Sequence, residues 1–155
     1  MIQETLHWMN VARTKPHGII PEIEKKLQHF NGRKYFEPGM KCPLITNEGP
    51  AAVHECINVL KNTQPMKPLT LNKGMSKAAQ DHCDDIGPKG VCGHTGTNGS
   101  SMGSRLEKHG QWMGQIAENI SFGHDEGLHA VIQLLVDDGV SSRGHRKNML
   151  NPKVS

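Results

Sequence analysis

Apolar positions recur at three- and four-residue intervals in several stretches, and Gly or Pro closes almost every one of them. Leu6, Met9 and Val11 predict a helix over Thr5 to Ala12 that ends ahead of Lys15-Pro16, because the residue before a proline avoids helical angles. Pro21 suits a first helical turn, and Ile23, Leu27 and Phe30 give one apolar side to a helix over Pro21 to Phe30. Residues 31 to 49 read as a loop. From Pro50, the set Val53, Cys56, Ile57 and Leu60 predicts another helix, stopped at Gln64-Pro65. Asn72 is a suitable N-cap for the next, with Met75, Ala78, Ala79, His82 and Ile86 on one stripe before Gly87-Pro88.

The second half is more broken. Ser100 or Ser101 is placed to cap a short helix through Leu106, closed at Gly110. Trp112 to Phe122 is the best candidate strand, with Ile116, Ile120 and Phe122 as β-compatible side chains. Asp125 is expected to cap a helix whose Leu128, Val131, Ile132 and Leu135 face a core until Gly139. Ser141 or Ser142 begins a last turn that carries His145.

Composition narrows the class. The 155 residues suit one domain over 1–155, and no repeat or low-complexity tract divides them. Leu, Ile, Val and Phe make up 32 of 155 residues and the net charge is only +3, so a core outweighs self-repulsion and the chain is expected to fold. The 18 basic and 15 acidic residues are interspersed, which gives no phosphate-binding stripe, and two Trp and one Tyr offer little for base stacking. Charge and stacking therefore both argue against a nucleic-acid partner. The longest apolar run, within Ala130 to Val136, is interrupted by Gln133 and falls far short of the roughly 20 residues that cross a bilayer.

The opening MIQETLHW has no basic segment followed by an apolar core, so it does not read as a signal peptide. Cys42, Cys56, Cys83 and Cys92 allow three full pairings, and the even number suits an oxidising compartment. The sequons Asn98-Gly99-Ser100 and Asn119-Ile120-Ser121 point the same way. An extracellular location is the resulting expectation.

Four residues carry candidate chemistry: His94 in Cys92-Gly93-His94-Thr95-Gly96, Glu118 in Ala117-Glu118-Asn119-Ile120, Asp138 after the last long helix, and His145 in Arg143-Gly144-His145-Arg146. Neutral imidazoles are good ligands for zinc and its neighbours, and carboxylates orient or complement them. Spacing alone does not pair residues 51 apart, and each histidine also has an ordinary reading as a surface or packed side chain. His82 on its apolar stripe reads as a hydrogen-bonded packing residue, and His124 and His129 as solvated. Cys83 and Cys92 lack the tight spacing of a zinc finger and read as a local disulfide or free thiols.

Taken in order, these segments resemble the CAP superfamily of cysteine-rich secretory proteins, insect venom allergens and plant pathogenesis-related proteins. The likeness rests on Asn10-x-x-Arg13 in the first helix; Ala78-Ala79-Gln80-Asp81-His82; Gly93-His94-Thr95-Gly96 followed by Asn98-Gly99-Ser100 and Arg105; Ala117-Glu118-Asn119-Ile120; and Gly144-His145-Arg146-Lys147-Asn148-Met149-Leu150-Asn151-Pro152. The Gly144-His145-Arg146 form is closer to microbial or protist branches.

The resemblance implies an α+β fold, a three-layer α-β-α sandwich with a small central antiparallel sheet, and a cleft where two His and two acids meet. His94 and His145 match the histidines as metal ligands and Glu118 the first acid. Asp138 is the choice for the second, with Asp137 beside it. Zinc or another divalent cation is the implied cofactor. Family domains continue past this Asn-Pro into final strands, so those strands are expected to be missing here. The implied function is a secreted, non-enzymatic binding domain for a sterol, another lipid or a protein. The alternatives are a metal-dependent hydrolase with Glu118 as general base, and a structural, protein-contacting domain.

Overall fold

Proline and capping residues set most of the helix starts. The computed structural model, which describes residues 1–37 and 39–154, runs through α1 (Ile2–Thr14), a 3₁₀ turn (Pro16–Ile19), α2 (Ile20–Leu27), β1 (Phe30–Asn31), β2 (Lys34–Tyr35), β3 (Leu44–Ile45), α3 (Pro50–Asn62), α4 (Lys73–Ile86), a second 3₁₀ turn (Gly87–Lys89), α5 (Met102–Glu107), α6 (Gly127–Val136) and α7 (Gly144–Met149). Pro50 takes the first turn of α3. Asn72 Oδ1 accepts from the Met75 N–H at 3.0 Å at the head of α4. Ser101 and Ser104 cap α5 reciprocally, side chain to backbone in both directions. The chain is an α+β protein with one three-stranded antiparallel sheet in the order β1-β2-β3.

That sheet lies in the stretch read as a loop. Phe30 pairs with Tyr35 and Asn31 with Lys34 across a two-residue turn, and Lys34 and Tyr35 then pair with Ile45 and Leu44. Gly32 holds the first turn position at φ 59°, which glycine adopts without cost. The strand expected within Trp112 to Phe122 does not form: the segment is irregular. Its β-compatible side chains bring no partner strand, and Gly114 at φ 87° interrupts the extended run.

Two compact units make up the chain, one of Met1–Leu69 with Ser121–Lys153 and one of Thr70–Ile120. In the first, Ala12, Ile19, Ile20, Ile23, Ala52, Val53, Cys56, Ile57, Leu60, Val131, Ile132, Leu135, Val136 and Met149 form a single buried cluster. Ile19, Ile23, Leu60, Ile132 and Leu135 are fully enclosed, each contributing about 1.5–3 kcal/mol by leaving water. Helix α6 packs on α1, α3 and α7.

The cap of α6 is not local. Its N-cap residue, Glu126, makes no side-chain cap bond, and the expected Asp125 is displaced from the role by Glu4 of α1. Glu4 accepts from the N–H groups of Gly127 at 2.9 Å and Leu128 at 3.3 Å, and these bonds lower its pKa below the ordinary carboxylate value.

Arg13 is 1% exposed, and its guanidinium donates to the carbonyls of Lys67 at 2.9 Å, Met149 at 2.7 Å and Asn151 at 3.0 Å. One turn earlier, Asn10 both donates to Leu69 O and accepts from Leu69 N. The Asn10-x-x-Arg13 pair thus fastens the segment after α3 and the end of α7 to the first helix.

In the second unit α4 packs against α5, and its buried residues include Ala78, His82, Ile86, Arg105 and Leu106. All four cysteines are free thiols: Cys42, Cys83 and Cys92 are exposed and Cys56 is buried, with its pKa pushed up to about 11 by desolvation. Among the described residues no helix is long and apolar enough to cross a membrane.

Candidate functional site

His94 stands on the glycine-rich loop between α4 and α5, which side chains shape from both ends. Asp85 of α4 accepts from Thr97 N at 2.7 Å and from the Thr97 hydroxyl, while Lys89 bridges Asp85 and Thr97 at 2.6 and 2.7 Å. Lys89 and the two Thr97 donors hold the Asp85 carboxyl well below its ordinary pKa. Gly96 donates to Ser100 O at 2.9 Å, and a Cβ at Gly96 would fall 2.3 Å from Ser100 Oγ and 3.0 Å from Asp85 Oδ2, so a side chain there would have to push those polar groups aside.

Arg105 fixes what the loop presents. It is 3% exposed and donates through Nη1 to the carbonyls of His94 (3.1 Å) and Ser100 (3.0 Å), and through Nη2 to Glu118 Oε2 (2.6 Å). The other Glu118 oxygen meets His94 Nδ1 at 2.9 Å. Burial works to raise the Glu118 pKa, but the bonds from Arg105 and His94 outweigh it and the group lies below the ordinary value. The His94 side chain is 55% exposed. With Thr95, Ser101, Met102 and Glu118 it lines an open hollow of about 370 Å³. His82 is the packing residue its position predicts, buried and bonded to Gly93 O at 2.9 Å.

His145 lies in the other unit. Its Nδ1 meets Asp137 Oδ1 at 2.6 Å, and Asp137 Oδ2 accepts from the backbone N–H groups of His145 at 2.9 Å and Arg146 at 3.3 Å. Asp137 closes α6 in the left-handed conformation, φ 57°, which Asp tolerates better than most residues and which turns its side chain inward.

Asp138, the acid first expected beside His145, is occupied elsewhere. Its oxygens accept from Asn47 N at 2.7 Å and Glu48 N at 2.8 Å, holding the loop ahead of α3. Behind the dyad, Arg143 and Arg146 share Glu55 of α3, at 2.5 and 2.9 Å, and Arg143 also binds Glu48 at 2.6 Å. Arg146 further donates to Leu135 O and Val136 O, tying α7 to the end of α6.

So the structure joins His94 to Glu118 and His145 to Asp137. Arg105 and Arg143 were legible only as motif letters. A further group, invisible in the sequence, brings Glu37, His124 and His129 together with one ligand atom from each within 4.8 Å of the others. The two histidines read as solvated are half-buried. Glu37 arrives from a segment some 90 residues upstream, which no local spacing could indicate.

A model of the cysteine-rich secretory protein family, CAP, matches residues 54–155. The chain belongs to the CAP family. The matched region of this CAP chain contains most of α3, all of α4 through α7 and both His–carboxylate pairs, while Glu37 and the sheet precede it. No curated protein and no solved structure matches the chain.

Proposed function

We propose that this CAP domain is a secreted, non-enzymatic binding module in which His94, held by Glu118, and His145, held by Asp137, are each ligands for divalent cations of the zinc class. The supporting observation is the same arrangement on both histidines, a carboxylate oxygen against Nδ1 at 2.9 and 2.6 Å. A carboxylate there fixes the tautomer and makes Nε2 the ligating nitrogen, the usual outer partner of a metal-bound imidazole. An imidazole held by a carboxylate suits zinc, which would supply an electrophilic centre for an anionic or carbonyl-bearing ligand.

Arg105 favours binding over hydrolysis. A general base works best with a pKa near the working pH, whereas Glu118 has both oxygens engaged and its pKa lowered. The lipid ligand that the resemblance implies is the second part of the proposal. An open hollow of about 360 Å³, with Val59, Leu150 and Pro152 beside Arg146 and Lys147, suits an amphiphile with an acidic head.

Zinc titration by calorimetry tests the first part on wild type and on the His94→Ala/His145→Ala double variant. The expected result is a lower zinc stoichiometry in the variant; equal stoichiometry and affinity in both removes the reading. A fluorescent fatty acid tests the second, with binding lost in Leu150→Glu; unchanged binding there removes it.

A further inference from the structure

We propose that Glu37, His124 and His129 form a separate zinc-class cation site that fastens the sheet to the head of α6. All three belong to the unit of Met1–Leu69 and Ser121–Lys153, and none contributes to the His94 or His145 pairs. One ligand atom from each lies within 4.8 Å of the others, and His129 Nδ1 is 3.8 Å from Glu37 Oε1. Metal–ligand bonds of about 2.0–2.1 Å in a tetrahedron set ligand atoms about 3.3 Å apart, so small side-chain rotations close the set. Two imidazole nitrogens and one carboxylate oxygen are a zinc-type donor set; calcium and magnesium prefer oxygen throughout.

Regular elements carry or adjoin two of the three donors. Glu37 follows β2, whose Tyr35 is buried and paired on both sides. His129 is in the first turn of α6, whose N–H groups are held by Glu4. The rings of His124 and His129 stand 6.0 Å apart between centroids, tilted by 60°.

The charge facing the cluster is that of Lys26, whose Nζ is 4.0 Å from Glu37 Oε1 and 3.0 Å from the Tyr35 hydroxyl. Its ammonium balances Glu37 in the metal-free protein.

The test is zinc chloride titrated into the metal-stripped full chain, read by calorimetry and by the visible spectrum of the cobalt-substituted protein. The His94→Ala/His145→Ala variant is expected to keep one equivalent with a tetrahedral cobalt spectrum. His124→Ala/His129→Ala is expected to lose that equivalent while retaining its far-ultraviolet circular dichroism. Glu37→Gln, nearly isosteric, guards against a folding artefact and should weaken this equivalent about 10-fold or more. Loss of all zinc binding in His94→Ala/His145→Ala overturns this site. So does undiminished affinity in Glu37→Gln, or an unchanged stoichiometry in His124→Ala/His129→Ala, and neither of those touches the His94 and His145 proposal.

Discussion

Asp137 and His145, eight residues apart, meet at 2.6 Å through Oδ1 and Nδ1, while the second oxygen of the same carboxylate receives the His145 N–H at 2.9 Å. One side chain therefore both orients the ring and caps the start of α7. Asp137→Asn keeps a residue that tolerates the left-handed backbone and removes only the charge. It should destabilise the protein by about 1–3 kcal/mol and change the His145 tautomer balance, read by urea unfolding and imidazole nitrogen shifts. Asp138→Asn should leave the His145 shifts in place. Movement of the ring in the second variant and not in the first would reverse the assignment.

Arg105 offers a different kind of test because it is buried and serves three acceptors. Arg105→Ala leaves the Glu118 charge and two carbonyls without their donor and should cost about 3–5 kcal/mol in urea unfolding. Arg105→Lys keeps the charge without the fork. In that variant the Glu118 pKa should rise toward the ordinary carboxylate value, seen in its carboxyl carbon shift against pH. A Glu118 that titrates as in wild type would remove Arg105 from its positioning role.

Acid sensitivity should come from Glu48. Its bonds to Arg143, and after them the Gly139 N–H, depress its folded pKa from 4.5 to about 2, and Arg143 lowers that of Glu55 as well. A depressed carboxyl adds stability above its unfolded value and loses it as pH falls through its folded value. Urea midpoints should thus decline between about pH 4.5 and pH 2, and Arg143→Gln should flatten that decline. An equally steep acid limb in the variant would place the effect elsewhere.

Two glycines in helices should respond in opposite directions to alanine. At Gly127 an added Cβ would fall 2.5 Å from Thr5 N and 2.9 Å from Glu4 C, so Gly127→Ala must part α6 from α1, costing about 1–3 kcal/mol despite alanine's better helix propensity. At Gly103 nothing lies closer than 3.8 Å, and Gly103→Ala should gain up to about 1 kcal/mol. Thermal melts of both compare them directly; equal shifts would mean that the close approach at Gly127 is not maintained in solution.

What the sequence made legible was what is written within one turn of itself. Pro50, Asn72 and Ser101 mark their helices because each acts locally, Pro50 through its own fixed φ and missing N–H and the other two on N–H groups three residues away. The cap of α6 comes from Glu4, 123 residues before it, and no scan of neighbouring residues finds it. Likewise the β-rich letters of Trp112 to Phe122 did not make a strand, while the plain stretch 30–45 did, because pairing is decided by a partner and by Gly32 at a turn. The candidate site was readable as four positions but not as a geometry. Asp137 and Asp138 are chemically alike, and only the left-handed closure of α6 decides that the former turns to His145 and the latter to Asn47. His124 and His129 looked like solvated residues because Glu37 is remote in the chain.

The reach of Arg13 bears on the order in which the protein assembles. Its guanidinium bonds span 136 and 138 residues, and α1 also lies against α6, so this helix has its permanent neighbours far along the chain. Contacts this distant must await closure of a very long loop, which slows folding. On the ribosome α1 would emerge with its apolar side uncovered and stay so until residue 151 is out. That interval is when a chaperone has most to hold.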